Sequence, residues 1–268
     1  MDWESIKWSD FMIVYSCINE WYAMLTCIYE AWSSKNGYKN IRLELEPIEQ
    51  YTLFDEYHHV DADIDKAESV IQAVNKKISP YFYNKMAYCS MAYEKDVLDN
   101  IFHMMILGFT YGTETLNMFH FRDVMRNREI STRLGREICK FKEIIRFHEI
   151  GNNVYVAHVE PKSKLVVALG PAIEDRMPSE HWMIIDDIHR EAVIHPKNEP
   201  FYLKQLSDLE FTRLLETEKE NDNYTDLWKV FFDSIAIEER TNKRCQDNLM
   251  PIWTRKHAIE FYHEIKKA

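Results

Sequence analysis

The sequence predicts an α+β fold, a small antiparallel sheet covered by several helices, with a helix-rich N-terminal half. Three observations predict it. Apolar residues recur at helical spacing through most of the chain up to about residue 143, and strand-like alternation of polar and apolar residues gathers after it. No internal repeat or low-complexity linker separates the two textures. At 268 residues and 46% hydrophobic, the chain can bury a large core. One domain over residues 1–268 is therefore expected, helical over about 1–143 and strand-containing over about 144–268.

Met12–Cys17 reads as a short strand, followed by a helix from about Glu20 to Trp32 whose Trp21, Leu25, Ile28 and Trp32 line one face. Asn36-Gly37 ends that helix, as Gly and Asn commonly do. Arg42–Glu46 alternates as a half-buried strand would, and Pro47 closes it. Asp63 caps a helix running to about Ile78, with Ile64, Ala67, Val70, Ile71 and Val74 inward. Ser79-Pro80 opens another helix, and Asp96 to about Gly112 is apolar nearly all round, the pattern of a buried helix. Around Arg133–Ile145 the pattern is amphipathic, with Leu134, Ile138, Phe141 and Ile145 on one face. Asn152-Asn153 forms a turn between strands at Ile144–Glu149 and Val154–Val159. A helix from Ser163 to about Arg176 and strands at Trp182–Asp186 and Ala192–His195 follow. Leu227, Trp228, Phe231 and Phe232 predict a closing helix, then a polar connector with Arg240, Asn242, Gln246, Met250 and Pro251.

Charge and cysteine usage bound the function. A net charge of −11 disfavours wholesale binding of phosphate polymers. The charge is segregated, however: residues 122–146 carry eight Lys/Arg against four Asp/Glu, and 205–226 carry two against seven. A local basic face on an acidic protein is compatible with that pattern. The five cysteines at 17, 27, 89, 139 and 245 lie far apart, which excludes a CxxC redox pair or a paired-cysteine zinc ribbon. With no signal peptide and no apolar run of membrane length, a cytoplasmic protein with reduced thiols and no membrane partner is expected.

Most catalytic signatures are missing. The six glycines form neither GxGxxG nor a phosphate loop, and no GxSxG elbow is present. Asp61-Ala62-Asp63-Ile64-Asp65 opens like a calcium loop, but Lys66 and Gln72 stand where glycine and a bidentate glutamate are needed. His158-Val159-Glu160 echoes the HxE of zinc deaminases without the PCxxC that completes it. His58-His59, near Asp61 and Asp63, could hold a metal, although an exposed loop is the commoner meaning of such a doublet. No cysteine or histidine set has local ligand spacing, so neither a tightly bound metal nor another cofactor is expected.

Two polar sets remain as binding candidates: Arg146, Arg176, Trp182, Asp186 and Arg190, and then Arg240, Asn242 and Gln246. Arginine offers a planar fork for phosphate or carboxylate, and amides can read a base edge. Equally, Asp186 with Arg190 would make an ordinary ion pair, and Asn242 a helix cap. For DNA phosphates, the candidates are Arg122, Arg126, Arg128, Arg133, Arg136 and Lys140, the densest cationic run in the chain.

Several short patterns occur in an order that carries a family resemblance. They are Cys27-Ile28-Tyr29-Glu30-Ala31-Trp32, Val60-x-Ala62-Asp63-x-x-Lys66-Ala67, Glu137-x-x-Lys140-Phe141 and Arg146-Phe147. Pro161, Asp175-Arg176, Trp182-x-Ile184-x-Asp186-x-x-x-Arg190-x-Ala192 and a closing Leu-Trp, Ile-x-x-Arg-x-Asn, Met-Pro pattern follow. Nearly the whole chain resembles the bacterial "probable DNA metabolism protein" family. That resemblance implies a role in DNA repair or DNA metabolism beside a radical-SAM DNA modification or repair protein. Some members carry an added uracil-DNA-glycosylase-like domain, whose motifs are not found in this sequence. Cys139, Glu143 and Ala172 stand where the family pattern has histidine, glycine and histidine, which weakens an enzymatic reading for this member. The chain also lacks the CxxxCxxC of an iron–sulfur enzyme.

Two functions are thus expected as alternatives. One is an accessory protein that binds a radical-SAM partner and DNA. The other is a nucleic-acid-directed enzyme of an unrecognised class, built on the Asp186/Arg190 and Arg240/Asn242 sets.

Overall fold

A computed structural model describes residues 12–217, 234, 242–258 and 261. Arg240 and most of the expected closing helix, residues 227–233, lie outside them. The chain divides into two compact units, Met1–Leu134 and Gly135–Ala268.

In the first unit, β1 (Ile13–Cys17), α1 (Trp21–Ser33) and β2 (Ile41–Leu45) form a β-α-β turn of chain. The intervening helix returns the chain to its starting end, so β1 and β2 pair in parallel, Ile13 opposite Ile41 and Cys17 opposite Leu45. A third strand, β3 (Glu56–His59), pairs in parallel on the other side of β1 and gives the order β2-β1-β3. The first half is thus helix-rich but contains a three-stranded parallel sheet. Glu-Tyr-His-His has no apolar alternation because only Tyr57 of β3 is even half-buried, and this hid the strand from the sequence pattern.

Helices enclose that sheet. α1 buries Met24, Leu25, Cys27, Ile28 and Ala31, whereas Trp32, expected inward, is half-exposed. α2 (Ile64–Lys77) starts at Asp63, whose side chain accepts the Lys66 amide at 3.1 Å. Thr26 Oγ1 donates to the Asp63 carbonyl and accepts the Asp63 amide, which fixes where α2 departs from α1. α3 (Pro80–Cys89) is capped by Ser79, with proline in its first turn, where a missing N–H costs nothing. α4 (Val97–Tyr111) is buried along most of its length. A Cβ at Gly108 would lie 2.7 Å from Ile78 Cδ1 and 2.9 Å from Phe82 Cζ, so any larger residue there would push these two side chains aside.

α5 (Arg122–Ile144) contains the division between the units and is longer than its amphipathic stripe suggested. Val124, Ile130, Leu134, Ile138, Phe141 and Ile144 are all buried.

The second unit is built on a five-stranded sheet in the order β4-β5-β6-β7-β8. Its strands are β4 (His148–Glu149), β5 (Val154–Val159), β6 (His181–Asp186), β7 (Glu191–His195) and β8 (Tyr202–Gln205). Asn152 and Asn153, at φ of 54° and 58°, make the tight β4–β5 turn, a backbone region that asparagine tolerates. The expected sheet was antiparallel, and this one is mixed. β5 and β6 are parallel because α6 (Val166–Arg176) crosses between them, whereas β6, β7 and β8 are joined directly and run antiparallel. Val156, Ile185, Ala192, Leu206 and Phe211 form a buried cluster, Phe211 coming from α7 (Asp208–Thr217). α+β therefore describes the fold, with one parallel and one mixed sheet.

In the first unit Asp99 ties α4 to the sheet: its Oδ1 accepts the Leu43 amide at 3.0 Å and its Oδ2 lies 3.5 Å from His103 Nδ1. The hydrogen bond to Asp99 raises the His103 imidazole above its ordinary value, against the effect of burial. A raised folded-state value means stabilisation that is fully present below about pH 6.5 and lost as pH rises through the raised value. His103→Gln is accordingly expected to flatten the fall in urea midpoint between pH 6 and pH 8.5 relative to wild type.

Candidate functional site at the strand ends

Parallel pairing of β5 and β6 sends both strands out of the sheet at the same end. Open α/β sheets bind ligands outside the carboxyl ends of parallel strands. Here those ends carry His158 and Glu160 from β5 and Asp187 from β6, and the Asp187 amide donates to the Val159 carbonyl at 3.0 Å. A third contributor is His257, from the stretch after α8 (Lys243–Leu249). Its Nε2 lies 3.1 Å from Glu160 Oε1 and 3.3 Å from Asp187 Oδ2. His158 is 7% exposed and places Nδ1 2.6 Å from Asp187 Oδ1. The His148 ring stacks on His158 with centroids 6.4 Å apart. Burial pushes the His257 imidazole below its ordinary value, opposed by the Asp187 carboxylate. Lys256 pairs with the other oxygen of Glu160.

Arg255 fixes the stretch that brings His257 here. It is 1% exposed, with Nε donating to the Met250 carbonyl, Nη2 to Asp247 Oδ1 at 2.9 Å, and its guanidinium over the Phe261 ring. On the opposite flank, Glu137 of α5 accepts the Lys162 amide at 2.7 Å and the Ser163 hydroxyl at 2.6 Å. Charge-assisted bonds of this kind contribute about 1.5–3 kcal/mol each. They hold the loop that follows Glu160.

The residues singled out from sequence take other places. Asp186, fully buried, accepts the Ile188 and His189 amides and pairs with His189 Nδ1 at 2.6 Å, closing the β6–β7 turn. Arg190 ends that turn at φ 57° with its guanidinium 3.6 Å from the Phe211 ring centroid. Trp182 lies at the other end of β6, stacked on His195 at 4.7 Å and donating to the Met177 carbonyl. Arg146 donates to the carbonyls of Glu143 and Ile145 at the end of α5. Arg176 is exposed in the last turn of α6. Asn242 caps α8 by accepting the Cys245 amide, and Gln246 donates its backbone amide to Asn242.

Of the cationic candidates, Arg122, Arg128, Arg133 and Arg136 are exposed and Lys140 is half-buried. Arg126 is bound by both oxygens of Asp96, at 2.6 and 2.7 Å, and by Glu129. Arg128 covers the Phe119 ring. Arg133 lies 3.7 Å from Glu94, a 6%-exposed carboxylate whose oxygens make no hydrogen bond among the described residues. Of the expected His58-His59 doublet, His59 sits between Glu46 at 2.7 Å and Asp61 at 3.1 Å, and Ser16 also donates to Glu46. Hydrogen bonding to Glu46 raises the His59 value. His58 instead stacks on Tyr15 and pairs with Glu56.

Residues 95–260 match a family model described as a domain of unknown function, DUF4130. That span is more than half of the chain. The chain belongs to this family. His148, His158, Glu160, Asp187 and His257 all fall inside the DUF4130 span. No curated protein and no solved structure matches the chain. Among the described residues, no helix is long and apolar enough to cross a membrane.

Sequence reasoning missed Asp187, Glu160, His257 and Arg255 as a group because they come from three separate parts of the chain. The HxE signal at His158–Glu160 was the one available hint. Arg255→Ala is expected to speed amide exchange at Thr254 and Ala258 while leaving β5–β7 protected, since a buried guanidinium bonded to Met250 and Asp247 holds that stretch. Hydrogen exchange read by mass spectrometry checks this.

Proposed function

We propose that this protein is a DNA repair or DNA metabolism accessory factor that acts with a radical-SAM partner, binds that protein and meets DNA through α5. One observation supports the DNA contact most directly. Arg122, Arg128, Arg133 and Arg136 stand exposed on a helix whose apolar side is buried, in a chain that is otherwise strongly acidic. Such guanidiniums suit phosphate contact, which positions a duplex without reading its sequence. The ordered family-like patterns described above support the partner, and the missing CxxxCxxC is compatible with iron–sulfur chemistry residing there.

The geometry refines which cations to test. Arg126 is committed to Asp96, and reversing Arg133 would set a carboxylate against buried Glu94. The informative variant is therefore Arg122→Glu, Arg136→Glu, Lys140→Glu.

A second reading, a nucleic-acid-directed enzyme, is favoured by the strand-end cluster of His158, Asp187, Glu160 and His257. Its original basis is weaker, because Asp186 and Asn242 serve a turn and a helix cap, and Arg240 lies outside the described residues.

Under the accessory reading, the triple variant folds normally, since Arg122 and Arg136 are exposed, Lys140 is only half-buried, and charges in contact with water add little stability. It binds duplex DNA more weakly at every sequence, and its log–log salt slope is shallower by roughly 0.9 per lost phosphate contact. Fluorescence anisotropy with and without the partner measures both. Unchanged affinity in the folded variant would contradict the role of α5.

A further inference from the structure

We propose that Glu160, Asp187 and His257 form a binding site for one zinc-type divalent transition-metal ion at the carboxyl ends of β5 and β6, with His158 positioning Asp187. The site is independent of the α5 reading. Three residues from separate parts of the chain, Glu160, Asp187 and His257, each offer one donor atom, and these atoms lie within 4.8 Å of one another. Zinc bonds of about 2.0–2.2 Å in tetrahedral geometry set neighbouring ligand atoms about 3.3 Å apart. The two separations to His257 are 3.1 and 3.3 Å, already close to that edge length.

The surroundings match what a metal ligand set needs. Metal-binding side chains are usually oriented by outer hydrogen bonds, here supplied to Asp187 by His158. A carboxylate accepts, so His158 carries its hydrogen on Nδ1, and that bond occupies Asp187 Oδ1, leaving Oδ2 turned toward His257. Arg255 and Glu137 fix the two flanking stretches. An imidazole beside two carboxylates favours zinc-like ions over magnesium, which prefers oxygen ligands and keeps its water. Three protein ligands leave a coordination position for water or a substrate oxygen, the arrangement of an open zinc site. Spacing along the sequence gave no metal site because the ligands are separated by 27 and 70 positions and meet only through the β5–α6–β6 crossover.

One group opposes the ion. Lys256 pairs with Glu160 and partly neutralises the site. Its removal therefore has the opposite sign from removal of a ligand, which a purely structural hydrogen-bonded cluster would not reproduce.

The test is calorimetric titration of the metal-stripped full chain with Zn²⁺ and, separately, Mg²⁺, with circular dichroism to verify folding. The wild type is expected to bind one Zn²⁺ and to prefer it to Mg²⁺. His257→Ala loses that stoichiometric site, and His158→Gln weakens it by about 10–100-fold. Lys256→Met binds Zn²⁺ more tightly, and His59→Ala, in the other histidine–carboxylate cluster, leaves the site unchanged. No stoichiometric Zn²⁺ binding by wild type would overturn the proposal. So would full binding by His257→Ala, loss on His59→Ala, or no gain with Lys256→Met.

Discussion

The second unit depends on the parallel pairing of β5 with β6. A strand, a crossover helix and a strand must point the same way when they join one sheet, because the helix carries the chain back to where it began. Had β5 and β6 been joined by a hairpin, Glu160 would sit beside His181 and far from Asp187. Instead Val159 pairs with Asp186, and the next residue of each strand leaves the sheet side by side. The direct links after β6 then restore antiparallel order, and the buried cluster around Ile185 and Phe211 fastens the rest.

Buried polar groups divide their labour around that geometry. Asp186 is wholly consumed by its own turn, while its neighbour Asp187 shares its oxygens between His158 and His257. A fully buried carboxylate without partners would cost several kcal/mol, so Asp186 needs these bonds if β6 is to end where it does. Adjacent aspartates thus serve different purposes, one closing the β6–β7 turn and the other joining His158 and His257 at the strand ends. Glu137 and Arg255 do for the flanking loop and the C-terminal stretch what Asp186 does for the hairpin.

Local chemistry was legible in the sequence wherever it was self-sufficient. Asp63, Ser79 and Asn152-Asn153 signalled two caps and a turn that the chain uses. The apolar stripe of Leu134, Ile138, Phe141 and Ile145 identified the buried face of α5. Strand direction was not legible, because alternation reports a strand's faces and is blind to the hand of its neighbour. β3 escaped because its polar residues leave no periodic trace, and β8 because all four of its residues are exposed. The candidate site was legible only as the fragment His158-Val159-Glu160, since its other members arrive from β6 and from beyond α8. Arg190 and Trp182 looked like ligand-binding groups because flat polar side chains also pack well: the guanidinium lies over Phe211, and the indole stacks on His195 and donates to the Met177 carbonyl.

Strand direction is also what can be measured most directly. Long-range backbone nuclear Overhauser contacts in deuterated protein distinguish the two pairings without reference to any activity. Parallel pairing predicts contacts linking Val154 with His181 and Val159 with Asp186, along with Val156 and Met183 between them. Contacts linking Val154 with Asp186 and Val159 with His181 would mean antiparallel strands. They would separate Glu160 from Asp187 and contradict the site.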